Sequence, residues 1–288
     1  MTTPNLADVA GPLLARCSFP PAGTAVTCAV SGGADSTALL ALAMAAGCRA
    51  TAVHVDHGLR AGSAAEADVV AATATALGAA FRAVRVTVAD GPNLEARARA
   101  ARYAALPTDV LTGHTADDQA ETVLVNLLRG AGLDGLAGMG PARHPILRLR
   151  RTETQALCAA LGLTVVDDPS NADPRHRRNR IRHELVPLLD AIAERDVSAL
   201  LARQADMLRA EAELLDSLAA AIDATDAAAL AAAPDALARR AVRRWLADPY
   251  PPDAAAVERV LAVARGEAVA CEVDGGRRIR RSGMRLLA

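Results

Sequence analysis

No lysine occurs anywhere in the 288 residues, so every basic side chain other than the six histidines is an arginine. That gap excludes the P-loop nucleoside triphosphatases, whose loop places a lysine on the β and γ phosphates. Aromatic residues are almost missing too, with one Trp, two Tyr and two Phe. Much of the apolar content is alanine, which predicts Ala-rich helices around a Val-rich sheet. The five cysteines, at 17, 28, 48, 158 and 271, stand singly with no CxxC or Cys/His spacing. Neither a disulfide framework nor a zinc knuckle is indicated, and they read as small buried hydrophobes. The N-terminal residues lack a basic segment followed by an apolar run, and no uncharged apolar stretch of about 20 residues occurs in a spanning context. A cytoplasmic protein with no membrane partner is expected.

The formal net charge is only −1, so bulk charge does not announce a nucleic-acid binder. Its distribution says more, because arginines crowd into 143–151, 175–182, 239–244 and 277–285.

Apolar runs and helical stretches alternate along the first half. Strands are expected at 25–30, 50–55, 81–88 and 109–112, and helices at about 37–46, 64–77, 93–105 and 117–129. This alternation predicts an α/β fold, a doubly wound parallel sheet with helices on both faces. A looser segment, 130–145, precedes a helix near 152–161 and a short strand at 163–166. The catalytic domain is expected to span 1–190. A smaller helical domain follows over 191–288, with helices at about 194–222, 234–247 and 254–265 and a terminal hairpin around Asp274-Gly275-Gly276.

The first strand–helix junction reads Ser31-Gly32-Gly33-Ala34-Asp35-Ser36. A Gly-rich turn there aims several backbone N–H groups and a helix N-terminus at one concavity, which suits phosphate. The serine hydroxyls can donate to that anion, and Asp35 can hold Mg²⁺ shared with it. The GxGxxG string at 130–135 follows a helix rather than a strand and fails the test for a dinucleotide fingerprint.

Two more strings fall at strand ends, where open α/β sheets bind ligands. One is His54-Val55-Asp56-His57-Gly58-Leu59-Arg60. The other, Gly113-His114-Thr115-Ala116-Asp117-Asp118-Gln119-Ala120-Glu121-Thr122, enters a helix. There His114, Asp118 and Glu121 share one side of a turn and can bind Mg²⁺, orient a nucleophile and take its proton. The bland alternative is an N-cap at Asp117 or Asp118 with Glu121 completing a capping box.

The Ser-Gly-Gly-x-Asp-Ser loop resembles the PP-loop of the N-type ATP pyrophosphatases, which implies cleavage of ATP between its α and β phosphates. Glu95 to Tyr103, Asp168-Pro169-Ser170-Asn171-Ala172-Asp173 and Arg178-Asn179-Arg180-Ile181-Arg182 narrow the likeness to the tRNA(Ile)-lysidine synthetase family. It covers about residues 24–190. The resemblance implies that ATP adenylates the C2 carbonyl oxygen of a wobble cytidine in tRNA(Ile) with a CAU anticodon, and that free L-lysine then displaces AMP. It implies ATP contacts from Ser31 to Ser36 and His57, catalytic roles for Asp35, His114, Asp118 and Glu121, and Mg²⁺ on Asp35 and Asp118. Arg99, Arg102, Arg178 and Arg182 would contact tRNA, and a homodimer is suggested. Any family contact made by a lysine must here be an arginine or be lost. The rivals are a tRNA thiolase of the same superfamily, a small-molecule synthetase with the same loop, and a non-enzymatic nucleotide-sensing or RNA-binding module; isolated cysteines argue against the first.

Overall fold

A computed structural model describes residues 5–56, 58, 63–87, 94–167, 173–248 and 251–288. The chain divides into two compact units, Met1–Asp206 and Met207–Ala288.

In the first unit, helix α1 (Leu6–Leu14) precedes β1 (Ala25–Ala29), α2 (Ala34–Ala45), β2 (Arg49–Asp56), α3 (Ser63–Leu77), β3 (Ala80–Arg85), α4 (Leu94–Ala104), β4 (Leu111–Thr112) and α5 (Ala116–Leu127). The four strands are parallel in the order β3-β2-β1-β4. The winding therefore runs outward from β1 through β2 to β3, then jumps back to β4 on the other side of β1. Such a reversal opens a crevice beyond the C-terminal ends of the two strands that flank it, here β1 and β4. The Ser31–Ser36 loop and the Gly113–Glu121 string leave those two ends.

Helix α2 stands at the centre, with Thr37 through Ala43 consecutively buried against Cys28, Ala50, Ala52, Ile146, Leu149 and Leu157. Alanine suits this position because its small side chain lets strands and helices approach on every side of the helix. Gly47, at φ +79°, ends the turn beyond α2, its N–H donating to Met44 O. That left-handed conformation favours glycine.

Beyond α5 come the short α6 (Leu133–Leu136), α7 (Arg151–Ala160), α8 (Arg177–Arg180) and α9 (Val186–Ala193), with a π turn at Ile181–Leu185 joining the last two. The strand expected at 163–166 does not form. Val166 instead donates one backbone hydrogen bond to Gly32 O at 2.9 Å, so the segment fastens the loop and adds nothing to the sheet.

Helix α10 (Val197–Ala220) crosses from one unit to the other, and α11 (Ala227–Ala232), α12 (Asp235–Leu246) and α13 (Ala254–Arg265) build the second core around Leu230, Val242, Val260 and Leu261. The expected terminal hairpin is a three-stranded antiparallel meander, β5 (Ala270–Val273), β6 (Arg277–Ser282) and β7 (Arg285–Leu287). Gly283, at φ +60°, supplies the second reversal. Among the described residues no helix is long and apolar enough to cross a membrane.

Candidate active site

The loop after β1 is braced from inside. Ser36 Oγ donates to Gly33 O at 2.9 Å and accepts the Ser31 N–H at 3.1 Å. Its single hydrogen is thereby used, so the Ser31 hydroxyl, 3.2 Å from it, is the one left to turn toward a ligand. Gly33 is the N-cap of α2 and offers no side chain to its first turn, which leaves the Ala34, Asp35 and Ser36 end of the helix dipole for an anion. Gly32 has φ +95°, and a Cβ there would lie 2.9 Å from Val166 Cγ2. Gly113 approaches still more closely, since a Cβ on it would lie 2.5 Å from Asp35 O. The loop after β4 thus rests directly on the start of α2.

At the head of α5 the capping box forms between Thr115 and Asp118. Asp118 Oδ2 accepts from Thr115 N at 2.8 Å and Thr115 Oγ1 at 2.9 Å. Glu121 takes no part in it, contrary to the capping alternative. Asp117 instead accepts from Arg150 Nη2 at 2.8 Å and from the Arg151 N–H at 2.7 Å, tying α5 to the start of α7.

Capping uses one oxygen of Asp118. The other, Oδ1, lies 3.1 Å from Arg151 Nη2 and 3.2 Å from Arg178 Nη2. Glu121 is 2% exposed and is held by Arg182 Nε at 2.7 Å, Arg178 Nε at 2.7 Å and Arg151 Nη2 at 3.4 Å. Arg151 also reaches Asp35 Oδ2, Nε to oxygen 3.4 Å, while the Thr154 hydroxyl sits on Asp35 Oδ1. Three carboxylates and three guanidiniums thus form one network from the phosphate loop to α8 and the π turn, with Arg151 between Asp35 and Asp118. Burial pushes the Asp35 carboxyl above its ordinary value, and the charge of Asp118 adds to this against Thr154 and Arg151. Burial acts the same way on Asp118, but the Arg151 and Arg178 guanidiniums outweigh it and hold that carboxyl below its ordinary value.

His114 enters a second cluster. Thr112 Oγ1 lies 2.7 Å from His114 Nδ1 and 2.6 Å from His144 Nδ1, and the two nitrogens are 3.2 Å apart with the rings edge to face. One hydroxyl hydrogen cannot serve both nitrogens, so when Thr112 donates to one ring the other must be the donor at Nδ1. His54, 3% exposed, donates from Nδ1 to Val30 O at 2.9 Å and pins β2 against the end of β1.

The structure therefore brings Asp35, Asp118, Glu121, Arg178 and Arg182 together around the crevice. Two of the four arginines expected to reach RNA, Arg178 and Arg182, are turned onto carboxylates. Arg102 is partly buried on α4; the side chain of Arg99, all of His57 and Asp168–Ala172 lie outside the described residues. Sequence reasoning passed over Arg150, Arg151, Thr154, Thr112 and His144. The arginine run at 143–151 was the one signal that could have found some of them.

The hard carboxylate oxygens of Asp35 and Asp118, facing each other across a guanidinium, have the chemistry of a Mg²⁺ site. Among the described residues no group of three or more His, Cys, Asp or Glu is placed to hold a metal. Cys28 and Cys158 are buried, their thiols pushed up to about 12 by burial, and Cys17 is raised to about 11. Such thiols are poor nucleophiles.

A parallel sheet with this loop at its switch point defines an ATP-using enzyme of the PP-loop class, and the PP-loop domain family matches residues 13–189. A second match, to the TilS substrate binding domain, covers 226–287. The chain is 44% identical over 292 residues to the tRNA(Ile)-lysidine synthase of Nocardia farcinica, covering 94% of this chain and 90% of that one. It is 46% identical to the synthase of the same name from Rhodococcus erythropolis, covering 77% and 73% of the two chains, and 48% identical to that of Mycolicibacterium paratuberculosis, covering 76% and 73%. The chain belongs to the tRNA(Ile)-lysidine synthase family. Among solved structures, the U34-tRNA thiolase NcsA from Methanococcus maripaludis superposes with a TM-score of 0.55 over 70% of this chain and 78% of that one; at 17% identity the likeness is one of fold.

Proposed function

We propose that the protein ligates free L-lysine to C2 of the wobble cytidine in tRNA(Ile) with a CAU anticodon. The observation that carries the reading is the bridge made by Arg151 between Asp35, at the phosphate loop, and Asp118, at the head of α5. It joins an anion site to a carboxylate pair within one crevice, where a triphosphate and an amine can meet.

In the first step the C2 carbonyl oxygen of the cytosine attacks the α-phosphorus of ATP, and pyrophosphate leaves. The first-turn amides of α2 and the Ser31 hydroxyl hold the phosphates, while Arg151 neutralises charge that develops on the leaving group. In the second step the ε-amine of lysine attacks C2, and AMP leaves carrying the oxygen. Asp118, the less enclosed of the pair, attracts the incoming ammonium and accepts the proton it must lose, while Glu121 holds the surrounding guanidiniums in position. Mg²⁺ held by Asp35 and Asp118 would add positive charge beside the pyrophosphate. His57 completes the expected ATP side, His114 keeps a catalytic role in handling protons, and residues 1–190 serve as the catalytic domain and 191–288 as a tRNA-binding domain. A cytoplasmic homodimer is part of this reading. The buried, high-pKa thiols favour it over sulfur transfer.

The test is AMP release from ATP with unmodified tRNA and lysine, followed by mass analysis of the nucleoside. AMP should appear only with both present, together with lysidine. Equal AMP with glutamine or ammonia in place of lysine would defeat the assignment.

A further inference from the structure

The segment from Arg175 to Leu188 has two faces. Arg178 and Arg182 turn toward Asp118 and Glu121. Arg175, Arg177 and Arg180 turn elsewhere and rim an open groove of about 660 Å³ floored by Leu128, Ile181 and Leu188. Leu128 and Leu188 are 62% and 55% exposed, more apolar surface than scattered solvent contact explains when it lines one concavity.

The rim decides what fits. Arg175 is paired with Asp173, and Arg180 with Glu184, whereas Arg177 makes no side-chain hydrogen bond or ion pair among the described residues. Set against Glu184 in the lining and Asp173 beside it, the three guanidiniums leave a net charge of +1, three minus two, carried by Arg177. An apolar floor beneath an arginine rim matches a single-stranded nucleic acid, whose bases present flat apolar faces and whose phosphates pair with guanidinium. An apolar protein ridge would gain nothing from the exposed arginines.

We propose that this groove seats an unpaired nucleotide of the RNA substrate other than the one that reacts, with its base on Leu128 and Leu188 and its phosphate on Arg177. The inference rests on the function proposed above and assigns RNA contact to the arginines that alternate with Arg178 and Arg182. Arg177 and Arg178 are consecutive, so RNA held in the groove also steadies the helix that grips Glu121.

The test uses the full chain and an unmodified tRNA(Ile) transcript with a CAU anticodon, its Kd measured by fluorescence anisotropy over a series of KCl concentrations. Arg177→Glu should raise Kd about tenfold at low salt and flatten the dependence of log K on log salt by about one unit. Glu184→Gln should tighten binding, and Leu188→Ser should weaken it with the salt slope unchanged. Binding of ATP should stay at the wild-type value in all three, which also shows that they fold. Wild-type Kd and slope in Arg177→Glu, with the wild-type chain still making lysidine, would overturn the groove and leave the proposed function standing. No lysidine and no RNA binding by the wild-type chain would overturn both. A change in sedimentation of Arg177→Glu without a change in RNA affinity would give the groove to a second copy of this chain and overturn the proposal.

Discussion

Arg182 Nε lies 2.7 Å from Glu121 Oε1, and with Arg178 and Arg151 it encloses a carboxylate almost sealed from water. One negative charge thus sits among three positive ones, with Asp118 and Asp35 as the remaining counter-charges. Removing a member of a buried charge network leaves its partners uncompensated.

Glu121→Ala should accordingly cost about 3–5 kcal/mol of stability, read from urea denaturation. It should abolish lysidine formation while tRNA still binds, as should Asp118→Ala. A variant of either residue that keeps the wild-type rate would remove that residue from the mechanism.

Gly113→Ala would place a methyl 2.5 Å from the Asp35 carbonyl oxygen, a backbone atom that cannot swing aside. The phosphate loop must shift in response. We expect the KM for ATP to rise about tenfold or more, since small displacements of a positioned group cost heavily, with tRNA affinity unchanged. An unaltered KM would show that the two loops tolerate separation.

The Thr112 hydroxyl between the two Nδ1 atoms couples the tautomer of His114 to that of His144. His144→Ala should lower kcat by about tenfold with little change in KM, a loss within the usual range for proton-handling groups. Thr112→Ser should retain activity and Thr112→Val should not. ¹⁵N spectra of His114 should show a changed tautomer balance in His144→Ala, and identical spectra would leave His144 with no influence on its neighbour.

Stability should depend on acid through Asp117. Burial raises its carboxyl, but the Arg150 hydrogen bonds, the Arg151 N–H and their charges prevail and leave it below the ordinary value. The folded state therefore binds that proton more weakly than the unfolded chain does. Its stabilisation is complete above pH about 4 and disappears as pH falls through the lowered folded value. Asp118 has the same sign, and Asp35, with its raised carboxyl, has the opposite one. Asp117→Asn should lie well below wild type in urea midpoint at pH 7, with the gap closing in acid. A gap that stays constant down to pH 3 would rule out this linkage.

Much of the first unit was legible because local pattern and tertiary structure agree there. Each apolar run near 25, 50, 81 and 110 became a strand, and the Gly-rich loop fell where β1 enters α2. The segment at 163–166 misled because an apolar run reports burial partners, and its partner is a loop carbonyl at Gly32. Helical spacing correctly grouped Arg178 with Arg182 but could not tell which way they face. That direction is set by Asp118 and Glu121, about sixty residues earlier, and no local periodicity encodes it. His144 was invisible for the same reason, since its tie to Thr112 is made across 32 positions of chain.

Seven successive residues of α2 have no wet side, so the helix behind the phosphates is a fixed post. Tilting it would drag strands and neighbouring helices together, and ligand arrival cannot do its work by that route. Whatever closure accompanies turnover must fall to the parts clasped against the post by separable charges, among them Arg151 and the α8 arginine that shares its carboxylates.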